Sequence, residues 1–431
     1  MEKEYRVLID FISKVLHTII NKHIGIDKAY QEVAKSYRKA LSIIKPKTLY
    51  RTSYRVVSDY YTLRYIEKKI YGKHGGTKRL ARLWLLYRGE LVEELNELGN
   101  LERIKKRIAK SLPSQYPTLE EITSELSREE QLAVTYSFPL WFVRKLTNLL
   151  GHEEAAKLLD FLNKEKWWIR VNTLKADVDK VVQKLDEKGV VVRVDRDLPY
   201  MLEVIDYSEP LHHLREMWTG EIVFQDKASA MVVEALDPQP GETILDMAAA
   251  PGIKDTLIMQ LTNNQARIIA VDVSRRRIER AKKVLKLYGV DLSKVDIIQA
   301  DSTLLDIRGE IDKILIDAPC TSTGAVIKDP AIKVHLDSEE WVSRFPPLQY
   351  SILLNSLKYS GSEIIYAVCS ILPDEAEEHL EKIQDRISIL EPSIPGHSGY
   401  RRYSTAYLVR RFFPHIHSTQ GFFIAKIRAK S

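Results

Sequence analysis

The chain has 431 residues, 45% of them hydrophobic, with two cysteines and a net charge of +6. That length exceeds one typical domain and allows two or three, each with its own core. Two cysteines exclude a disulfide scaffold and suit a reducing interior, and no apolar run reaches the roughly 20 residues needed to span a bilayer.

The opening Met1-Glu2-Lys3-Glu4-Tyr5-Arg6 is charged and leads into an amphipathic segment, so no signal peptide is read and a soluble, cytoplasmic protein is expected. Residues 1–112 read as an all-helical domain, with helical spacing in Tyr5–Ile12 and Ala29–Ala34. Lys73–Arg79 reads as a basic loop, and Arg82–Arg88, mostly aliphatic, as a core helix. Residues 1–110 hold 25 Lys and Arg against 12 Asp and Glu, a balance of +13, which leaves the rest at −7. A basic front on a mildly acidic body points to a polyanion partner.

Pro113 and Pro117 mark a linker to a second segment, 113–219. There a strand at Trp168–Lys175, a helix at Val178–Lys188 and a strand at Val190–Val194 predict a small α+β sheet of the RNA-recognition type. Arg170 and Lys175 stand in that strand as RNA contacts or as ordinary surface charges.

From Gly220 to the end, strands alternate with helices. Apolar strands read at Thr243–Met247, Arg267–Val273, Val295–Ala300, Lys313–Asp317 and Ile364–Val368, with a last one after Gly421. Helical patterns fall at Thr256–Gln260, Arg275–Tyr288, Gln349–Tyr359 and Asp374–Ile383. This alternation predicts an α/β domain over 220–431 built on a doubly wound, mostly parallel sheet.

In such a sheet ligands bind at the carboxyl ends of the strands. The first strand runs into Asp246-Met247-Ala248-Ala249-Ala250-Pro251-Gly252-Ile253-Lys254, whose small residues let the backbone approach a ligand. The turn matches neither GxGxxG nor GxxxxGK[ST], which argues against a dinucleotide or a nucleoside triphosphate. Asp272 and Asp301 follow the next two strands, and Asp317 the fourth. Acids at successive strand ends suit a cationic ligand carrying ribose, adenine and an amino group, which describes S-adenosylmethionine. The two cysteines also fall at strand ends: Cys320 in Asp317-Ala318-Pro319-Cys320, and Cys369 after Ile364–Val368. Two thiols and a carboxylate placed so are one arrangement for methyl transfer to carbon-5 of a pyrimidine. A thiol redox pair is set aside, because the chain has no CxxC.

With these motifs in order, the chain resembles the Sun/Nop2/RsmB family of RNA cytosine-5 methyltransferases. The matching residues are Phe224-Gln225-Asp226-Lys227-Ala228-Ser229, Ala249–Lys254, Asp272 with Arg277, Gln299-Ala300-Asp301, Asp317–Cys320, Val368-Cys369-Ser370 and Gly421-Phe422-Phe423. The match runs from about Ser137 to the end, and more loosely the helical front resembles the NusB-like domain of bacterial members. The resemblance implies a Rossmann-like methyltransferase domain and S-adenosylmethionine held by Ala248, Ala249, Ala250, Pro251, Gly252, Ile253, Lys254, Asp272, Arg277, Asp301 and Asp317. It further implies catalysis by Cys369 as nucleophile, Cys320 in product release and Asp317 on the base. The helix expected from Pro373 would present its positive end to Cys369. The implied partner is structured RNA, ribosomal RNA favoured and transfer RNA an alternative; a monomer is expected and no metal. Four positions depart from the family: Ile253 where Gly is usual, Ala248 where Cys is common, Asp255 where Thr is common, and Val368 in place of the Thr of Thr-Cys-Ser. Ile253 and Asp255 keep open a second class of function, an RNA-binding assembly factor on a methyltransferase fold.

Overall fold

The front of the chain folds as helices because its apolar residues recur at spacings of three and four. In the first helix, Lys3–Lys22, Tyr5, Leu8, Ile12, Val15 and Ile19 form one buried stripe. Further helices run at Ile26–Ser36, Pro46–Ser58, Tyr60–Tyr71, Thr77–Arg88 and Leu101–Ala109. Their ends follow local chemistry. Pro46 opens one helix, Gly72 closes another in the left-handed conformation at φ 69°, and the Asn100 side chain accepts from the Arg103 amide. Thr77, Lys78 and Arg79 belong to a helix, so the basic loop is shorter than the sequence implied. Leu83, Trp84, Leu85 and Leu86 are buried, as a core helix requires. The computed structural model describes residues 3–113, 117–208 and 211–430; Met1, Glu2 and the middle of the expected linker lie outside them.

Two compact units divide the chain. The first comprises residues up to Lys164 together with Val326–Val342. It therefore extends past the expected boundary at 112 to take in the helices Arg128–Tyr136, Leu140–Leu150 and His152–Phe161. The returning segment inserts Ala331 and Val334 into the helical core. Between them Lys333, fully buried, donates to the carbonyls of Ser58 and Tyr136, both at 3.0 Å, and to Asn163 Oδ1 at 2.5 Å. Its ammonium also lies 4.2 Å from the centre of the Phe138 ring.

The second unit, Glu165–Ala325 with Ser343–Ser431, holds two sheets. The smaller contains β1 (Trp167–Val171), β2 (Val190–Val194), β3 (Met201–Tyr207) and β4 (Ile222–Phe224), antiparallel in the order β2-β3-β1-β4. Arg170 is withdrawn from the surface, whereas Lys175 stays exposed. Arg170 is fully buried and donates to Thr256 Oγ1 at 2.6 Å and to Gln260 Oε1, while burial pulls its guanidinium down to about 10. Lys175 donates to the carbonyls of Thr219 and Leu287, the latter at the end of a helix, where a cation is favoured.

The larger sheet contains β5 (Thr243–Asp246), β6 (Arg267–Asp272), β7 (Val295–Gln299), β8 (Lys313–Asp317), β9 (Glu363–Val368), β10 (Ile387–Leu390), β11 (Arg410–Phe412) and β12 (Phe422–Ala429). Its order is β10-β12-β9-β8-β5-β6-β7, with β11 also on β12. Strands β5 to β9 are parallel and β12 is antiparallel to β9. Side chains alternate between two apolar cores. Leu315, Ile365 and Ala367 enter one, and Ile314, Ile316, Ile364, Tyr366 and Val368 the other. The chain winds outward from β5 through β6 to β7, then returns to β8 on the opposite side of β5. That reversal makes the β5/β8 junction the switch point where a crevice opens.

Candidate active site

Asp246, Asp272 and Asp317 end β5, β6 and β8, so the parallel register alone brings three carboxyls to one edge. Between β5 and the helix Ile253–Leu261 the backbone turns at Gly252, φ 91°. Ile253 is the first helical residue, so its β-branch sits in ordinary helical geometry and Gly252 alone carries the left-handed conformation. Beside this turn, Asp272 Oδ1 accepts from the Ser274 amide at 2.8 Å, and its other oxygen lies 3.4 Å from Arg277 Nη2. Arg277 also donates to the Ala250 carbonyl, tying β6 to the turn. Asp301 is exposed and closes a turn on the Thr303 amide and hydroxyl, which hold its carboxyl below the usual range.

Asp255 is completely buried, and neither of its oxygens meets a donor among the described residues. Its neighbour is the buried Asp246, whose Oδ1 accepts from the Ala248 amide at 2.9 Å. Two carboxylates offer each other no proton; once Asp255 is protonated it can donate to Asp246. Burial first, and then the charge of Asp246, push Asp255 well above the carboxylate range. Burial raises Asp246 as well, to about 6, so the pair favours a proton shared between its two carboxyls.

Lys254, one residue earlier in the helix, reaches the adjacent strand end and donates to Asp317 Oδ2 at 2.5 Å. Burial opposes its charge, but Asp317 more than restores it, with Cys369 and Asp246 adding to the effect. The ammonium also stands 5.6 Å from the Phe422 ring centre.

The two thiols meet directly: Cys320 Sγ and Cys369 Sγ are 2.9 Å apart. The Ser322 hydroxyl lies 3.8 Å from the first sulfur and 3.5 Å from the second. Their environments are unequal. The contact with Cys320 lowers Cys369, helped by Ser322 and Lys254 against burial and the Asp317 charge. The same contact, with burial and the charge of Glu375, pushes Cys320 well up. The site thus favours a thiolate at Cys369 beside a protonated Cys320. The helix dipole expected from Pro373 is absent. Pro373–Glu375 is one 3-10 turn, the chain breaks at Ala376 (φ −138°, ψ −105°), and the helix Glu377–Lys382 has only six residues.

Two groups here went unread in the sequence. Ser322 sits at φ 59° in a run of small polar residues with no marker of its own. Gly324 does carry a signal beside Gly421. The two backbones touch, Gly421 N–H donating to the Gly324 carbonyl at 3.0 Å, and a Cβ on Gly324 would lie 2.0 Å from the Gly421 oxygen.

The chain is similar to known proteins over most of its length. Residues 233–428 match a family described as 16S rRNA methyltransferase RsmB/F, and residues 138–206 a ferredoxin-like domain of RsmF/B-like methyltransferases. The 26S rRNA (cytosine-C(5))-methyltransferase nsun-1 of Caenorhabditis elegans is 28% identical over 369 residues, 79% of this chain and 55% of that protein. The chain spans about half the length of the curated relatives of this kind. The crystal structure of PH0851 superposes with a TM-score of 0.78 at 25% identity, covering 99% of both chains. That of NSun6 from Pyrococcus horikoshii with SFG gives 0.60 at 25% identity, covering 66% of this chain and 96% of the other.

Proposed function

We propose, from the premise that this chain belongs to the Sun/Nop2/RsmB family, that it methylates carbon-5 of a cytosine in RNA using S-adenosylmethionine. The observation that carries the reading is the unequal thiol pair at the sheet's carboxyl edge, 2.9 Å apart and beside a lysine–aspartate ion pair.

The residues fit the cofactor. Three strand-end acids complement its cationic groups, and the turn at Gly252 leaves room for close backbone approach. Asp272 would hold the ribose, Asp301 and Arg277 would border the adenosine, and residues 248–254 with Asp317 would line the methionine end. When bound, S-adenosylmethionine supplies an electrophilic methyl group. The P. horikoshii relative carries SFG, an analogue of it.

Carbon-5 of cytosine is a poor nucleophile on its own. The Cys369 thiolate adds to carbon-6, forming an S–C bond and making carbon-5 electron-rich. Asp317, steadied by Lys254, accepts from the amino group at N4. Once Cys369 is bonded to carbon-6 its charge no longer opposes ionisation of Cys320, whose thiol releases its proton to water and then, as thiolate, takes the proton from carbon-5 after methylation. The electron pair restores the carbon-5–carbon-6 double bond and Cys369 leaves as thiolate. The target base must first be flipped from any stack, at a cost of a few kcal/mol. Ribosomal RNA is the favoured substrate, since the C. elegans relative is named for it and the matching family is described as 16S rRNA methyltransferases.

The test uses labelled S-adenosylmethionine with ribosomal and transfer RNA, bisulfite sequencing and a denaturing gel. The parent chain should place 5-methylcytosine in ribosomal RNA. Cys369→Ala should give neither product nor adduct. Cys320→Ala should stall at release and leave a denaturation-resistant protein–RNA band, absent from the double variant. Methylation of transfer RNA alone would reassign the substrate. Methylation that survives Cys369→Ala would overturn the covalent route, and no cofactor binding by calorimetry would overturn the activity.

A further inference from the structure

The residues after the two cysteines converge on one buried group. Glu375 is 1% exposed, and its carboxylate accepts four hydrogen bonds. Two come from Thr321, its amide at 2.8 Å and its hydroxyl at 2.6 Å. One comes from the Ser370 hydroxyl, and one from Gln349 Nε2 at 2.9 Å. Thr321 directly follows Cys320 and Ser370 directly follows Cys369. Gln349 also donates to the Pro319 carbonyl at 2.8 Å, so the same clamp takes the residue before Cys320. Around it the loops are stitched by Gly324 N–H to the Cys369 carbonyl at 3.0 Å and Ile371 N–H to Thr323 Oγ1 at 2.9 Å.

A buried carboxylate saturated by donors from two loops is expensive to desolvate and holds only if every donor stays in place. Here both loops bear a reactive thiol. We propose that Glu375 is a positioning residue, whose single carboxylate locks the two cysteine loops in register and so sets the sulfur-to-sulfur contact. The inference rests on the thiol roles proposed above, but the clamp is a property of the free protein. Its negative charge has a second effect: it disfavours a thiolate at Cys320 and so keeps that sulfur a donor to Cys369. Glu375 touches neither base nor cofactor in this scheme; it acts through the thiols. Asp317 and Lys254 act on Cys369, and the buried Tyr366, whose hydroxyl donates to the Glu375 carbonyl, is the other titratable group coupled to Cys320.

The experiment is pH-dependent alkylation of the free full-length protein with iodoacetamide, read by peptide mass spectrometry. In a Cys369→Ser background only Cys320 reacts. Adding Glu375→Gln, which keeps the shape and removes the charge, should lower the pH midpoint of labelling by roughly one unit. Adding Thr321→Val instead, which loosens one grip and keeps the charge, should leave the midpoint in place and raise the rate. Glu375→Asp covers the case in which the glutamine variant fails to fold. It should hold the midpoint and speed labelling of both thiols in the otherwise unaltered chain. An unmoved midpoint in Glu375→Gln, or unchanged rates in Thr321→Val and Glu375→Asp, overturns the proposal. Because no RNA or cofactor is present, a chain that never methylates RNA would still show these shifts if the clamp is real.

Discussion

Asp255 shows how one residue changes meaning between sequence and structure. As a letter beside a cofactor turn it reads as an added charge; in the fold it is a buried acid against Asp246. The sign of its pH effect follows. Its folded pKa is raised, so the folded state holds a proton that the unfolded chain releases above about pH 4. The stability tied to that proton is complete below the unfolded pKa and is lost as pH rises towards the folded one. Asp255→Thr keeps a hydroxyl donor for Asp246 without the ionisation. It should raise the free energy of unfolding at pH 8 by more than at pH 5, a difference on the order of 1 kcal/mol in urea titrations; equal gains at both pH values would refute the shared proton. Residue identities at the thiols and strand-end acids were legible because each sits where an apolar run stops. The pairing of Asp246 with Asp255 and the burial of Arg170 were not, since both depend on which helix covers which strand.

At the scale of elements, the parallel strands were the most legible part. Buried on both faces, they read as continuous apolar runs, and Lys313–Asp317 falls where it was expected. Strands β3 and β4 escaped notice. One is exposed over its last three residues and the other has only three. The helix expected at Asp374–Ile383 is cut in two because Glu375 and Glu377 turn inward, Glu377 pairing with the buried Arg411 at 2.5 Å. Tertiary partners there override helical spacing. The cysteine loops give this scale its prediction. Gly324→Ala would drive a methyl group into the Gly421 carbonyl, and backbone on both sides leaves little room to yield. A loss of at least about 2 kcal/mol in urea unfolding is expected, with faster alkylation of Cys369 as the loops part. Unchanged stability would show that the close approach is relieved elsewhere.

For the whole molecule, the basic front survives as surface. Lys68, Lys69 and Lys73 are exposed around the turn that joins two helices. If they meet phosphates, changing all three to Gln should lower the slope of log affinity against log salt by about 2, measured on the proposed ribosomal RNA. An unchanged slope would place the contacts elsewhere. Removing residues 1–110 is a poorer test, because Ala331 and Val334 pack into that same core. No sequence pattern announced this return, since residues 326–342 look like any connection between β8 and β9. It also sets a schedule for the newborn protein. The helical unit ends its first stretch at Lys164 but is complete only when Val342 has left the ribosome, about 180 residues later. At about 5–20 residues per second that wait lasts about 10–35 seconds. Throughout it the carbonyls of Ser58 and Tyr136 lack the ammonium that caps them in the finished protein. The core at the front of this chain therefore closes late, on a segment encoded beyond the first of the two cysteines.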